Sequence, residues 1–108
     1  MNKKSNEILM HTIVSDKFEK IDLNIIISKL ENEFSLIDFI QEFAQEYEEE
    51  YIEMLFVYRV KGAFIEVRSQ ISSYLSTSED LLNIERIAKT DTQNIFGKTV
   101  EVPYWKKK

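Results

Sequence analysis

The apolar periodicity that begins after Ser35 constrains this chain more than any other feature. At 100° per residue, Leu36, Ile40, Phe43, Ala44, Tyr47, Tyr51, Met54, Leu55 and Tyr58 fall within a stripe of about 120°. On the same wheel Asp38, Glu42, Glu46, Glu49 and Glu53 occupy the far side. The spacing predicts one amphipathic helix from Ser35 to Tyr58, about five or six turns long. Ser35-Leu36-Ile37-Asp38 supplies its start as a capping box with Asp in place of Glu. There the hydroxyl accepts a backbone N–H and the carboxylate favours the helix N-terminus.

After Leu55 the pattern changes. Phe56, Val57 and Val60 fall on what had been the acidic side, and Ala63, Phe64, Val67, Ile71, Tyr74 and Leu75 continue along it. Two readings explain the switch. In the first, the helix ends near Val60 with Gly62 as its C-terminal cap, and a second helix runs from Ala63 to about Leu75. In the second, residues 54–69 form a β-hairpin turning at Lys61-Gly62, with Met54, Phe56, Tyr58, Val60, Ala63, Ile65 and Val67 on one face. No turn residue separates the strong helix from such a strand, so the helical reading is preferred.

Elsewhere the signals are shorter. Asp22 is an acceptable N-cap for a helix over residues 22–33, with Leu23, Ile26, Ile27 and Leu30 on one face and Phe34 a turn later. Residues 7–14 are apolar without a decisive period. Ser76 to Asp80 reads as a loop and helix start, and Leu81, Leu82, Ile84 and Ile87 support a short helix to about Lys89. Residues 98–102 alternate polar and apolar and read as extended, and Pro103 limits that segment to an edge or to the end of pairing. Residues 1–6 and 104–108 read as flexible tails, although Tyr104-Trp105 has the option of folding back and leaving three lysines in solvent. The expected fold is mainly α: a small single-domain helical bundle with a short C-terminal extended or β segment. The alternative is α+β with the hairpin at 54–69.

Composition narrows the field further. Two glycines and one proline in 108 residues do not serve a many-stranded β-sandwich or barrel. The absence of cysteine excludes disulfides, thiol catalysis and Cys-ligated zinc. No apolar run reaches the roughly 18 residues a membrane span needs, and the first residues lack the apolar core of a secretory signal. A cytoplasmic location is the default expectation.

The net charge of −5 conceals an asymmetry. Five lysines lie in the tails, and without them the body carries 9 basic against 19 acidic groups. Between Lys29 and Arg59 there is no basic residue, while Glu31, Glu33, Asp38, Glu42, Glu46, Glu48, Glu49, Glu50 and Glu53 are all acidic. Such a field disfavours direct binding of nucleic acid. It reads either as a solvated helix face or as a surface for a basic partner.

Catalytic motifs are not found. His11 is the only histidine, and no GxSxG, Walker loop, GxGxxG or EF-hand pattern occurs. Gly62 and Gly97, the two glycines, are 35 residues apart and cannot build a phosphate cradle. No Glu-x-x-His accompanies the glutamates, which face away from the apolar stripe, so no metal or cofactor site is expected. Tyr47, Tyr51 and Tyr58 lie along the stripe, either as core or as a helix-pairing seam.

Two function classes follow. The first is a non-catalytic protein-binding domain that presents Asp38, Glu42, Glu46, Glu49 and Glu53 to a basic partner, in the manner of an inhibitor, an immunity protein or a mobile-element factor. The second is a structural or assembly subunit that forms homo-oligomers through Tyr47, Tyr51 and Tyr58. An enzyme with an unrecognised carboxylate site is a distant third.

Overall fold

The computed structural model describes residues 12–60, 62–88, 91–93 and 99–108. The expectations placed on residues 1–6, His11, Lys89 and Gly97 lie outside the described residues. The chain runs through α1 (Ile13–Phe18), α2 (Leu23–Ser28), β1 (Glu33–Ser35), α3 (Leu36–Glu46), α4 (Glu48–Val57), α5 (Ala63–Thr77) and α6 (Glu79–Leu82). It continues with β2 (Ile84–Ile87), β3 (Asp91–Gln93), β4 (Thr99–Glu101) and β5 (Tyr104–Lys107). The protein is mostly helical, with a three-stranded antiparallel sheet ordered β1-β5-β2 and a separate β3-β4 pair. This is the expected fold class, with more sheet at the C-terminal end than the sequence suggests.

Short polar side chains start the first three helices as their chemistry requires. Thr12 and Ser15 exchange side-chain and backbone bonds at the head of α1. Asp22 accepts from the Asn24 N–H at 3.0 Å to begin α2. At α3 the expected capping box is present: the Asp38 N–H donates to Ser35 Oγ at 3.1 Å, and the Ser35 N–H donates to Asp38 Oδ2 at 2.9 Å.

The single helix from Ser35 to Tyr58 is not found. It breaks at Tyr47, whose φ of −132° and ψ of 59° leave the helical region. The physical reason is visible in the sequence that follows. Glu48, Glu49 and Glu50 form the first turn of α4, where carboxylates meet the positive end of a helix dipole. Within one continuous helix they would gain nothing from that end. The chain stays tied across the break, with the Tyr47 N–H donating to the Phe43 carbonyl at 2.8 Å and the Tyr51 N–H to the Tyr47 carbonyl at 3.0 Å.

Further corrections concern ends and strands. The helix expected over 22–33 stops at Ser28, and Phe34 belongs to β1. The β-hairpin over 54–69 does not form; both of its arms are helical, in α4 and α5. Gly62 lies after three non-helical residues and serves α5 as its N-cap, not α4 as its C-cap. Its φ of 73° is left-handed, which is where glycine has an advantage over other residues. The helix expected to reach Lys89 ends at Leu82. Asn83 turns the chain with φ 58°, and the β-branched Ile84-Glu85-Arg86-Ile87 becomes β2.

Residues 104–108 are not a free tail. β5 is the central strand, with Trp105 opposite Phe34 of β1 and Arg86 of β2. Trp105 is fully buried and its Nε1 donates to Glu79 Oε2 at 3.1 Å. Lys107 Nζ donates to the Leu30 carbonyl at 2.7 Å, and Lys106 pairs with Glu85 at 3.3 Å. The expected extended segment at 98–102 contains β4, which pairs with β3.

The core lies where the helices meet the sheet. Val14 and Phe18 of α1, Phe39 and Phe43 of α3, Met54 of α4, and Val67, Ile71 and Leu75 of α5 are buried together. Phe18 is the hub, meeting Phe43 and Tyr74 edge-on at 5.1 Å and Phe39 at 6.1 Å.

Candidate functional site

The acidic residues expected to form one surface are divided among several tasks. Asp38 closes the α3 capping box. Glu46 pairs with Lys29, and Glu53 with Lys17, so two carboxylates are answered by lysines of their own chain. Lys29 titrates above its ordinary value, held there first by its hydrogen bond to Glu46 and further by the charge of Glu42. Glu42 and Glu50 are half-buried, whereas Glu48 and Glu49 are exposed at the start of α4. None of these four makes an ion pair among the described residues. The exposed carboxylates without an ion pair are therefore Glu48 and Glu49 of α4, one turn before Ile52.

The tyrosines form no open seam. Tyr47 stacks on Phe43 with ring centroids 5.9 Å apart, and Tyr51 meets the same ring edge-on at 6.0 Å. Tyr58 accepts a hydrogen bond from Gln70 Nε2 at 2.6 Å. Each is half-buried against the core of its own chain, and burial pushes the Tyr51 phenol above its ordinary pKa while Arg68 opposes the shift. These rings fasten α4 to α3 and α5.

What the structure places outside is a set of apolar residues around the corner between α4 and α5. Ile52 is 55% exposed, Phe56 60%, Val57 48%, Val60 82%, Phe64 70% and Ile65 68%. The Arg59 guanidinium lies over the Phe56 ring, 4.0 Å from its centroid, and donates to the Phe56 carbonyl at 2.9 Å. The sequence carried a signal for this surface: apolar residues crossing to the acidic side at Phe56. That signal reads as a change of buried face, but α4 buries only Met54 completely and leaves the second apolar side in solvent.

A separate groove of about 450 Å³ lies between the start of α1 and α5. Thr12, Ser15, Ser69, Ser73 and Thr77 line it with hydroxyls, and the nearby Gln70 Oε1 is buried without a hydrogen-bond partner. Glu66 is the ionisable carboxylate in that lining, and its Oε2 accepts a hydrogen bond from Gln70 Nε2 at 3.2 Å. Among the described residues no three potential metal ligands converge, and no helix is long and apolar enough to cross a membrane. Comparison with protein-family models, with curated proteins and with solved structures finds no match.

Proposed function

We propose that the chain is a non-catalytic protein-binding domain that docks through the α4–α5 corner and the acidic first turn of α4. The supporting observation is the exposure of Ile52, Phe56, Val57, Val60, Phe64 and Ile65 within one 14-residue stretch. Scattered single apolar residues are normal on a surface, whereas six so close together in the chain, at the ends of two consecutive helices, support a reading as an interaction site. Glu48 and Glu49 on one side and Arg59 on the other supply a charged rim. The partner chemistry is thus an apolar patch with cations on one side and an anion on the other, which preserves part of the basic partner of the sequence reading but moves the centre of the contact from α3 to the end of α4. Size and acidity suit an inhibitor, an immunity protein or a mobile-element factor. The negative field of the body supports a protein partner over nucleic acid.

The test is site-specific photo-cross-linking in the native cell. A photoreactive amino acid at Val60 or Phe64 is expected to give discrete adducts, and the same group at exposed Asn24 of α2 none. The adduct yield is expected to fall when Glu48→Lys and Glu49→Lys are introduced together or when salt is raised. Equal labelling at all three positions, or none, overturns the reading.

A further inference from the structure

We infer that the partner seated on the α4–α5 corner is a second copy of this chain, related to the first by a two-fold axis; the inference rests on the docking reading above. Three observations converge on it.

The first is area. Taking roughly 150–200 Å² for each fully exposed apolar residue of this size, the six fractional exposures leave about 600–700 Å² uncovered. The largest patch on an ordinary monomer is about 300–600 Å², and a stable interface takes about 800 Å² from each partner. The six apolar residues of the corner sum to most of that area.

The second is the order of charge along the surface. Glu48 and Glu49 lie at the start of α4, Ile52, Phe56 and Val57 follow along the helix, and Arg59 lies just past its end. At about 1.5 Å per residue, the acidic and basic ends are about 15 Å apart. A strip with ends of opposite sign and an apolar middle is self-complementary when turned end for end, because each acidic end meets the other copy's basic end. A two-fold dimer makes that match twice.

The third is that the tyrosine surface, the other route to self-association, is occupied by the chain's own core. The corner is where apolar surface remains for a second copy to cover.

Sedimentation equilibrium of the purified full chain from about 1 to 200 µM tests the inference. A species of twice the chain mass is expected. Val60→Asp with Phe64→Asp should weaken the association at least about 30-fold, as loss of interface anchors does. Both residues are exposed, so the far-UV spectrum should not change with them, and the melting temperature of the variant should equal that of the original chain at concentrations where the latter is monomeric.

Register is tested by charge exchange. Glu48→Lys with Glu49→Lys in one chain, or Arg59→Glu in another, should each weaken self-association about 5- to 10-fold. Mixing the two variants should restore a heterodimer, since each reversed end then meets its opposite.

A chain that stays monomeric across the range overturns the inference. So does a dimer indifferent to Val60→Asp with Phe64→Asp, or a mixture that forms no heterodimer. A monomer that cross-links from Val60 to a protein of another mass overturns the second copy and leaves the docking reading standing. A monomer without adducts, whether or not it sediments with phosphatidylserine vesicles, overturns both.

Discussion

Ser35 and Asp38 illustrate how much a pair of side chains decides locally. Their reciprocal bonds satisfy N–H groups at the head of α3 that would otherwise be orphaned, and they do so where β1 hands over to the helix. Tyr51 and Tyr74 show the opposite dependence, on surroundings that only folding provides. Burial raises both phenols above the ordinary 10.0, and the bond to Glu46 raises Lys29 above 10.5. In all three the folded state favours the protonated form. Their contribution is therefore fully present below the unfolded values and is lost as pH rises through the raised ones. The urea midpoint is expected to show no loss from these groups near neutral pH and to decline above about pH 10. Tyr51→Phe combined with Tyr74→Phe should make that decline shallower. A decline of unchanged steepness in the double variant would show that burial of these rings is not its source. Asp38 was legible as a cap from spacing alone.

At the scale of elements, β5 carries more than its four residues suggest. It is the central strand, and Phe34 stacks on Trp105 with ring centroids 6.2 Å apart. Trp105→Ala is expected to destabilise by about 3–5 kcal/mol, as large aromatic truncations in cores do. Trp105→Phe keeps a ring but removes the donor to Glu79, and should cost only about 1 kcal/mol. Urea unfolding of the two variants separates ring packing from the hydrogen bond, and equal losses would refute the division. Neither β2 nor β5 was legible as a paired strand. Ile84-Glu85-Arg86-Ile87 and Tyr104-Trp105-Lys106-Lys107 are four-residue stretches whose partners lie far off in the chain, and pairing with a distant strand leaves no local period. The helix α5 was legible because its apolar spacing is local. The break at Tyr47 was not anticipated, since it needs no glycine or proline; its local sign is the run of three glutamates that α4 takes as its first turn.

Charge acts on the molecule as a whole. Nine carboxylates between Lys29 and Arg59 repel one another, and the solvent-exposed pairs Lys17–Glu53 and Lys29–Glu46 offset only a small part of this. Raising salt from about 20 to about 500 mM shortens the screening length from about 20 to about 4 Å. The melting temperature is expected to rise by about 3–8 °C, because relief of repulsion outweighs the two weakened pairs. A falling melting temperature would mean that the cross-element pairs dominate. The lysines assigned to a loose end take part in this balance, since Lys106 meets Glu85 and Lys108 meets Asp80 at 3.5 Å.

The helical class, the start of α3, the N-cap of α2 and the isolation of the acidic run were set by neighbours in the chain, where spacing of three or four residues and short polar side chains act directly. The fate of each face was settled only when the chain folded. Tyr47, Tyr51 and Tyr58 turned inward because Phe43 and Gln70 were there to receive them. Phe56, Val60 and Phe64 stayed outside because, among the described residues, no element covers that corner. Periodicity tells which residues share a side; whether that side is buried depends on a surface brought to it from elsewhere in the chain.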